Sequence, residues 1–261
     1  LAAAKNGYSL LPAARRGLLD IFRDTEHDPS NARPFHAPQT MFNVPGYFFM
    51  HTDWVDFLRH STDLDRHGLD RIRRLMRALY KRYQGVFVLN SEHKAWLTSY
   101  EMTLDQEKVF LTAHHTQPRI NNITPVKKSD LFSDANDETP ILFLACRISK
   151  EKGVLELPTI VTKAREQLPD LRIVIAGEGP AEAELHDLLP DALMLGWQTK
   201  EQLAALYQGL DLFVFPSQFD TFGNVILEAF VNGMPVVAFN SKGPKDLINH
   251  GINGYLVETN Q

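Results

Sequence analysis

The sequence predicts an α/β fold of two domains, and three observations predict it. From residue 140 onward, short apolar runs alternate with stretches of helical spacing, the pattern of parallel strands joined by right-handed crossover helices. Upstream, Gln117 to Thr139 carries Pro118, Pro125, Asn121, Asn122, two lysines and several aspartates without sustained periodicity, as a connector between domains does. Finally, 261 residues with 44% hydrophobic content suffice for two cores. The expected division is 1–117, a connector over 118–139, and 140–261, the last a parallel sheet with helices on both faces.

Taken in order, Leu10 to Phe22 sets Leu11, Leu18, Leu19 and Phe22 on one side of a predicted helix, and the polar, Pro-bearing Asp24 to Pro38 reads as a loop. Pro45 to His51 reads as a strand that ends in a polar turn at Thr52-Asp53, so His51 is placed to face a cleft. Asp63-Leu64-Asp65 has the Asp-x-Asp spacing of a metal motif. It follows no apolar strand and directly precedes a helical pattern, however, where aspartate caps an N-terminus, and no metal is expected. Over Leu69 to Tyr83, Ile72, Leu75, Met76 and Leu79 oppose Arg71, Arg74 and Lys81 at helical spacing. Two readings stay open: a basic helix lying on an anionic membrane surface, or a helix packed on a sheet with a solvated basic face. The strand Gly85 to Leu89 that follows favours the second. Ser91 is expected to cap a helix running towards Tyr100, and Lys108 to Thr112 reads as another strand. His114 and His115 are neighbours, which point to opposite faces of an extended chain and make a poor metal pair. They are expected to be polar strand-end residues near the domain junction.

In the second half, strands are predicted at 141–145, 171–176, 193–195, 212–215, 236–239 and 255–257, and Thr199 with Gln202 forms a capping box for a helix running to Tyr207. Gly177-Glu178-Gly179-Pro180 hints at a dinucleotide fingerprint, but Glu182 occupies the place of its third glycine, so a structural turn is expected. Arg147 and Lys152 project from the loop after the first of these strands, at the carboxyl edge of the sheet. A guanidinium fork and a point-charge ammonium there can neutralise a diphosphate.

The stretch Phe215 to Ala238 organises the rest. Its strand stops at Pro216, an acidic loop follows, and a helix is expected to begin at Phe222 or Gly223. Its first amides, those of Gly223, Asn224 and Val225, suit an anion through unpaired N–H groups and the positive dipole end. Glu228 lies about 7 to 9 Å further along the helix axis, and Asp220 lies on the near side of the same anion. Phosphate in the middle with an acidic hydroxyl acceptor on each side outlines a nucleotide-sugar.

At these residues the chain resembles the retaining glycosyltransferases of the GT-B fold, specifically the GT4 group, whose donor site carries two acids eight positions apart followed by a Gly-x-Pro-Val-Val strand entry. Asp220 and Glu228 hold the acidic places here, and Gly233 to Val237 supplies the rest; Asp220 is one methylene shorter than the usual glutamate. The resemblance spans roughly Pro140 to Glu258. It implies two Rossmann-like domains, with Glu228 on the nucleotide ribose, Asp220 on the transferred sugar, and Arg147 and Lys152, in an Arg-x4-Lys setting, on the donor pyrophosphate. It also implies that His51 stands near the transferred sugar, and that Gly196-Trp197-Gln198 approaches the base. The implied reaction is hexose transfer from a UDP- or GDP-linked sugar to an acceptor hydroxyl on a carbohydrate or lipid-linked molecule, with retention, no metal and no cofactor.

The net charge of −5 argues against nucleic acid as the main partner. One cysteine, Cys146, ends an apolar run, reads as a buried thiol, and fits a cytoplasmic setting, with peripheral association at the inner membrane surface as a further expectation. The first domain lacks the expected opening strand with its Gly-rich loop, so the chain reads as a shortened or partial transferase. A non-catalytic nucleotide-sugar-binding protein is therefore the alternative reading.

Overall fold

The computed structural model describes residues 45–258; the helix expected over 10–22 and the loop over 24–38 lie outside the described residues. From Phe48 onward the chain forms one compact unit that contains two sheets.

The smaller sheet has the order β1 (Tyr47–Phe49), β2 (Gly85–Val88) and β3 (Val109–Leu111), with β2 and β3 parallel. Two helices separate β1 from β2: α1 (Trp54–Ser61) and α2 (Arg66–Tyr80). Asp53 caps α1 by accepting the amides of Val55 and Asp56, and Asp65 caps α2 by accepting the amide of Gly68 at 2.8 Å, so the Asp-x-Asp pair ends at a helix cap. The apolar stripe of α2 is buried at Ile72, Met76 and Tyr80, the last packing 5.0 Å from the Phe48 ring, while Arg71 and Arg74 are exposed. Helix α3 (Ser91–Thr98) follows β2, but its cap is Asn90 rather than the expected Ser91. Asn90 accepts the His93 amide at 2.7 Å, and Ser91 is the first helical residue.

The connector docks on the second half. Lys128, in the short helix α4 (Lys128–Leu131), is buried, and its ammonium is saturated by the carbonyls of Asp137 and Thr139 and by Asp211 at 2.7 Å. Three acceptors for three donors is what a buried ammonium requires.

The larger sheet contains β4 (Ile141–Ala145), β5 (Arg172–Ala176), β6 (Leu193–Met194), β7 (Leu212–Phe215), β8 (Val236–Phe239) and β9 (Gly254–Val257), all parallel. Their spatial order is β6-β5-β4-β7-β8-β9, so the direction of winding reverses between β4 and β7. Helices α5 (Leu157–Arg165), α6 (Glu182–Leu188), α7 (Lys200–Gly209), α8 (Asn224–Val231) and α9 (Pro244–Leu247) make the crossovers. Each face carries its own core. Phe143, Tyr207, Phe213, Ile226 and Ala229 fill one side, and Leu142, Leu144, Leu157, Val161, Ile173 and Leu185 fill the other. Burial on both faces explains why these strands read as continuous apolar runs rather than alternating ones. The predicted capping box of α7 is formed, with Thr199 and Gln202 satisfying each other's amides.

Candidate functional site

The winding reverses between the paired strands β4 and β7, and the carboxyl ends of strands at such a switch point are where open α/β sheets bind ligands. The loops leaving those strands carry Arg147 and Lys152 on one side and Asp220 on the other. They are pressed together at Gly153, which has φ 68° and whose missing Cβ would lie 2.1 Å from the carbonyl oxygen of Pro216. Only glycine tolerates both the backbone conformation and the approach. Beside it, the Ser217 hydroxyl donates to the carbonyl of Glu151 at 3.3 Å.

Lys152 Nζ lies 2.5 Å from Asp220 Oδ2 across this junction. The other oxygen of Asp220 accepts the amides of Phe222 at 3.2 Å and Gly223 at 2.9 Å. Burial pushes the Asp220 carboxyl up, but the Lys152 ammonium and the two amides outweigh it and hold the group below the usual carboxylate range. Asp220 is therefore a fixed anion, and this corrects one expectation. Helix α8 begins at Asn224, and the Gly223 amide is occupied by Asp220, leaving Asn224 and Val225 as the first helical residues, whose amides have no partner within the helix. Arg147 stands at the rim, half-exposed and ion-paired with Glu151.

Glu228 follows one turn into α8. Burial raises its carboxyl above the ordinary value, partly offset by the Tyr207 hydroxyl and the Lys200 ammonium. The Tyr207 hydroxyl is itself buried and makes no hydrogen bond among the described residues, so its influence on Glu228 is that of a nearby dipole rather than of a formed bond. The two acids thus differ in kind: one is locked by a cation, the other half-buried and held back from ionising. Cys146, at the head of the same loop, has its thiol pushed up by burial to about 12, which leaves it without thiolate character.

The turn Gly177–Pro180 is structural, as expected. Gly177, at φ 128°, would place a Cβ 1.9 Å from the Cys146 carbonyl oxygen, and the Glu178 carbonyl accepts the Ile148 amide at 2.9 Å, so this turn buttresses the cationic loop. Trp197 is exposed, with its amide donating to Glu178 at 3.3 Å.

The smaller sheet reaches the same loop through aromatic and amide contacts. His51 is exposed and stacks on Phe49 (4.4 Å) and His114 (5.5 Å), and His114 meets the Phe222 ring edge-on at 5.2 Å. Asn90 Nδ2 donates to the Thr221 carbonyl at 2.7 Å. Neither His114 nor Asn90 is expected at the site from the sequence, because no local spacing links residues so far apart. A polar residue directly after an apolar strand was the available signal for Asn90. A cavity of about 650 Å³ lies apart from Asp220 and Glu228, lined by residues including Asp56, Arg73, Glu92, His93 and Trp96. Its charges are largely paired among themselves or with neighbours, as in Arg73–Asp70 and Lys245–Glu92. Among the described residues, no group of three or more His, Cys, Asp or Glu side chains is arranged to hold a metal ion, and no helix is long and apolar enough to cross a membrane.

Residues 127–261 match the family model described as glycosyl transferases group 1. A GDP-mannose-dependent alpha-mannosyltransferase of Corynebacterium glutamicum is 38% identical over 125 residues, 48% of this chain and 29% of that protein. Among solved structures, an Anabaena protein, Alr3699/HepE, in complex with UDP aligns with TM-score 0.66 at 19% identity over 84% of this chain and 60% of that one. Sucrose-phosphate synthase from Thermosynechococcus elongatus aligns with TM-score 0.65 at 21% identity, covering 81% and 54%. The chain spans less than a third of the length of the mannosyltransferases it matches.

Proposed function

The chain belongs to the glycosyl transferases group 1 family and has a GT-B type α/β fold, and from that premise we propose that it transfers a hexose from a nucleoside-diphosphate sugar to an acceptor hydroxyl with retention at the anomeric carbon. In this reading the chain divides at the connector 118–139, with 140–261 as the donor-binding domain. Lys152 and Arg147 balance the diphosphate, and the amides of Asn224 and Val225 add donors where the helix dipole is positive. Glu228 accepts from the ribose hydroxyls, Asp220 from the transferred sugar, and His51 borders that sugar from the smaller sheet.

The bond between the anomeric carbon and the diphosphate oxygen breaks with its electron pair going to the phosphate. The acceptor oxygen bonds to the same face of the carbon, and its proton passes to the departing phosphate. Charge growing on that phosphate is what Lys152, Arg147 and the helix amides stabilise, so no metal and no cofactor is invoked. The acceptor is a carbohydrate or lipid-linked hydroxyl, in a cytoplasmic setting at the inner membrane surface. Because several relatives are named as GDP-mannose-dependent enzymes while the structural neighbour holds UDP, both nucleotides belong in any test.

One observation carries the reading: the partly buried Lys152–Asp220 pair beside the start of α8, at the point where the sheet reverses its winding. Calorimetry with UDP, GDP and their glucose and mannose conjugates, followed by turnover of radiolabelled donor, tests it. Binding of a nucleoside diphosphate and its sugar conjugate, with release of the free nucleoside diphosphate on turnover, is the expected result. Binding without release would leave a nucleotide-sugar-binding protein, and no binding at all would end the proposal.

A further inference from the structure

Asn90 is fully buried at the carboxyl end of β2, and each polar atom of its side chain has a defined task. Its Oδ1 accepts the His93 amide at 2.7 Å, which identifies that atom as oxygen. Its Nδ2 therefore carries two hydrogens. One goes to the Thr221 carbonyl at 2.7 Å, and the other points to His93 Nδ1 at 3.2 Å. His93 Nδ1 must then be the acceptor nitrogen, which puts the ring proton of the neutral tautomer on Nε2. That nitrogen is buried, makes no hydrogen bond among the described residues, and has the Asp53 carboxylate 3.5 Å away. The amide of Asn90 is thus fixed from behind by His93, with one N–H left to hold a carbonyl 131 positions further along the chain.

The carbonyl it holds belongs to the peptide unit joining Thr221 to Phe222, and the N–H of that same unit donates to Asp220 Oδ1. A peptide unit is planar. Gripping its oxygen on one side fixes the direction of its N–H on the other, and so fixes the carboxylate that the N–H binds. The geometry points to Asn90 as a positioning residue that sets the orientation of Asp220 through the Thr221–Phe222 peptide, and thereby governs recognition of the sugar half of the donor rather than its nucleotide half. This rests on the role proposed above for Asp220. It goes further in naming a residue on the other sheet that controls it.

Two variants test the inference in the intact chain. Asn90→Asp keeps an oxygen for the His93 amide, so the helix cap survives, but it cannot donate to the Thr221 carbonyl. Asn90→Ala removes both contacts. Calorimetry measures the affinity of each for GDP and GDP-mannose, or for UDP and UDP-glucose if the unaltered chain prefers them. The expected result is an unchanged affinity for the nucleoside diphosphate and a loss of about five- to thirty-fold in the extra affinity conferred by the sugar, the size of one or two lost polar contacts.

Asp246→Asn serves as the comparison, because Asp246 accepts the Ser91 amide and hydroxyl and joins the same two parts of the molecule without touching the Thr221 carbonyl. It should leave the sugar contribution unchanged. Equal loss of nucleotide and conjugate in the Asn90 variants, an unaltered sugar contribution, or the same loss in Asp246→Asn would each overturn the inference. Failure of the unaltered chain to bind either ligand would instead sink the functional proposal beneath it.

Discussion

The two sheets hold their polar groups in different ways. In the six-stranded sheet, the loops over β4 and β7 are fixed by backbone. Gly153 sits against Pro216, Gly177 against Cys146, and Asp220 folds back onto the amides of Phe222 and Gly223 two and three residues on. The three-stranded part is held through charged side chains on its helices, which pair with lysines more than 150 positions away in the other part, Asp56 with Lys242 and Glu92 with Lys245. The first arrangement is stiff because its contacts are close and main-chain; the second depends on long side chains that lose rotamer freedom when they pair. What this teaches is where function should be fragile: over β4 and β7 a single atom matters, whereas at the charged contacts no single pair should.

Lys152→Ala attacks the stiff side at its centre and should produce the largest effect. It removes the cation that holds Asp220 and, in the proposed reaction, one that receives charge from the departing phosphate. Turnover should fall by about 10²- to 10³-fold. Arg147→Ala should fall less, since Arg147 is half-exposed at the rim and already shared with Glu151. Single-turnover rates with labelled donor measure both, and near-normal rates in Lys152→Ala would break the contrast at its strongest point.

Next in size is Gly153→Ala. The new methyl meets the Pro216 carbonyl and the backbone must leave φ 68°, so the loss of stability is expected at about 1–3 kcal/mol. At roughly 2–4 °C per kcal/mol for a chain of this size, a thermal melt detects it. An unchanged midpoint would mean that the two loops are not pressed together as described.

Legibility followed the same line. The six strands of the larger sheet and the helix between β7 and β8 were readable because each is encoded within a few residues: apolar runs of four or five, a proline that stops a strand, a glycine that starts a turn; the spatial order of the strands was not, since no local spacing fixes it. The cap of α7 was readable for the same reason, since Thr199 and Gln202 are three apart. The occupied Gly223 amide was missed because its partner depends on how the loop folds back, which spacing alone does not fix. Asn90 and His114 were missed because what they touch, Thr221 and Phe222, is adjacent only after both sheets have formed. The cap of α3 was placed one residue late at Ser91, for a simpler reason: both Asn90 and Ser91 are good caps, and sequence does not choose between neighbours.

Acidification should separate the two acids. Asp220 is held below the usual range and stays ionised, whereas burial raises Glu228, so Glu228 takes up its proton first as pH falls. For folding, the raised group adds stability at low pH that is lost as pH rises through its folded value, while Asp220 adds stability at higher pH that is lost as pH falls through its depressed value. Binding runs the other way for Glu228, because the proposed ribose contact needs the carboxylate. Nucleoside-diphosphate affinity should therefore begin to fall at a higher pH than an ordinary glutamate would cause, by at most about tenfold per pH unit from this group. The expected fall vanishes in Glu228→Gln. A pH profile identical in that variant would show that Glu228 does not face the nucleotide.

The smallest effect belongs to the charged contacts, and it sharpens the comparison by its smallness. Lys245 pairs with Glu92 at 2.5 Å, but both side chains keep about a third or more of their surface in water (30% and 44%). Solvent and salt screen such a pair, and ordering two long side chains offsets most of what it gains, so Lys245→Met should change stability by no more than about 1 kcal/mol. Lys242 is better buried, with 20% of its side chain exposed against 14% and 15% for Asp53 and Asp56. Lys242→Met removes the ammonium that Asp53 and Asp56 share; Asp56 keeps Arg59 and Asp53 keeps the amides it caps, but the better-buried pair should still cost more than Lys245→Met. Chemical denaturation of both variants at low and high salt checks the order. The Lys245 effect should shrink with added salt, the Lys242 effect should persist, and equal, salt-insensitive losses would mean that these contacts are as stiff as the loops over β4 and β7.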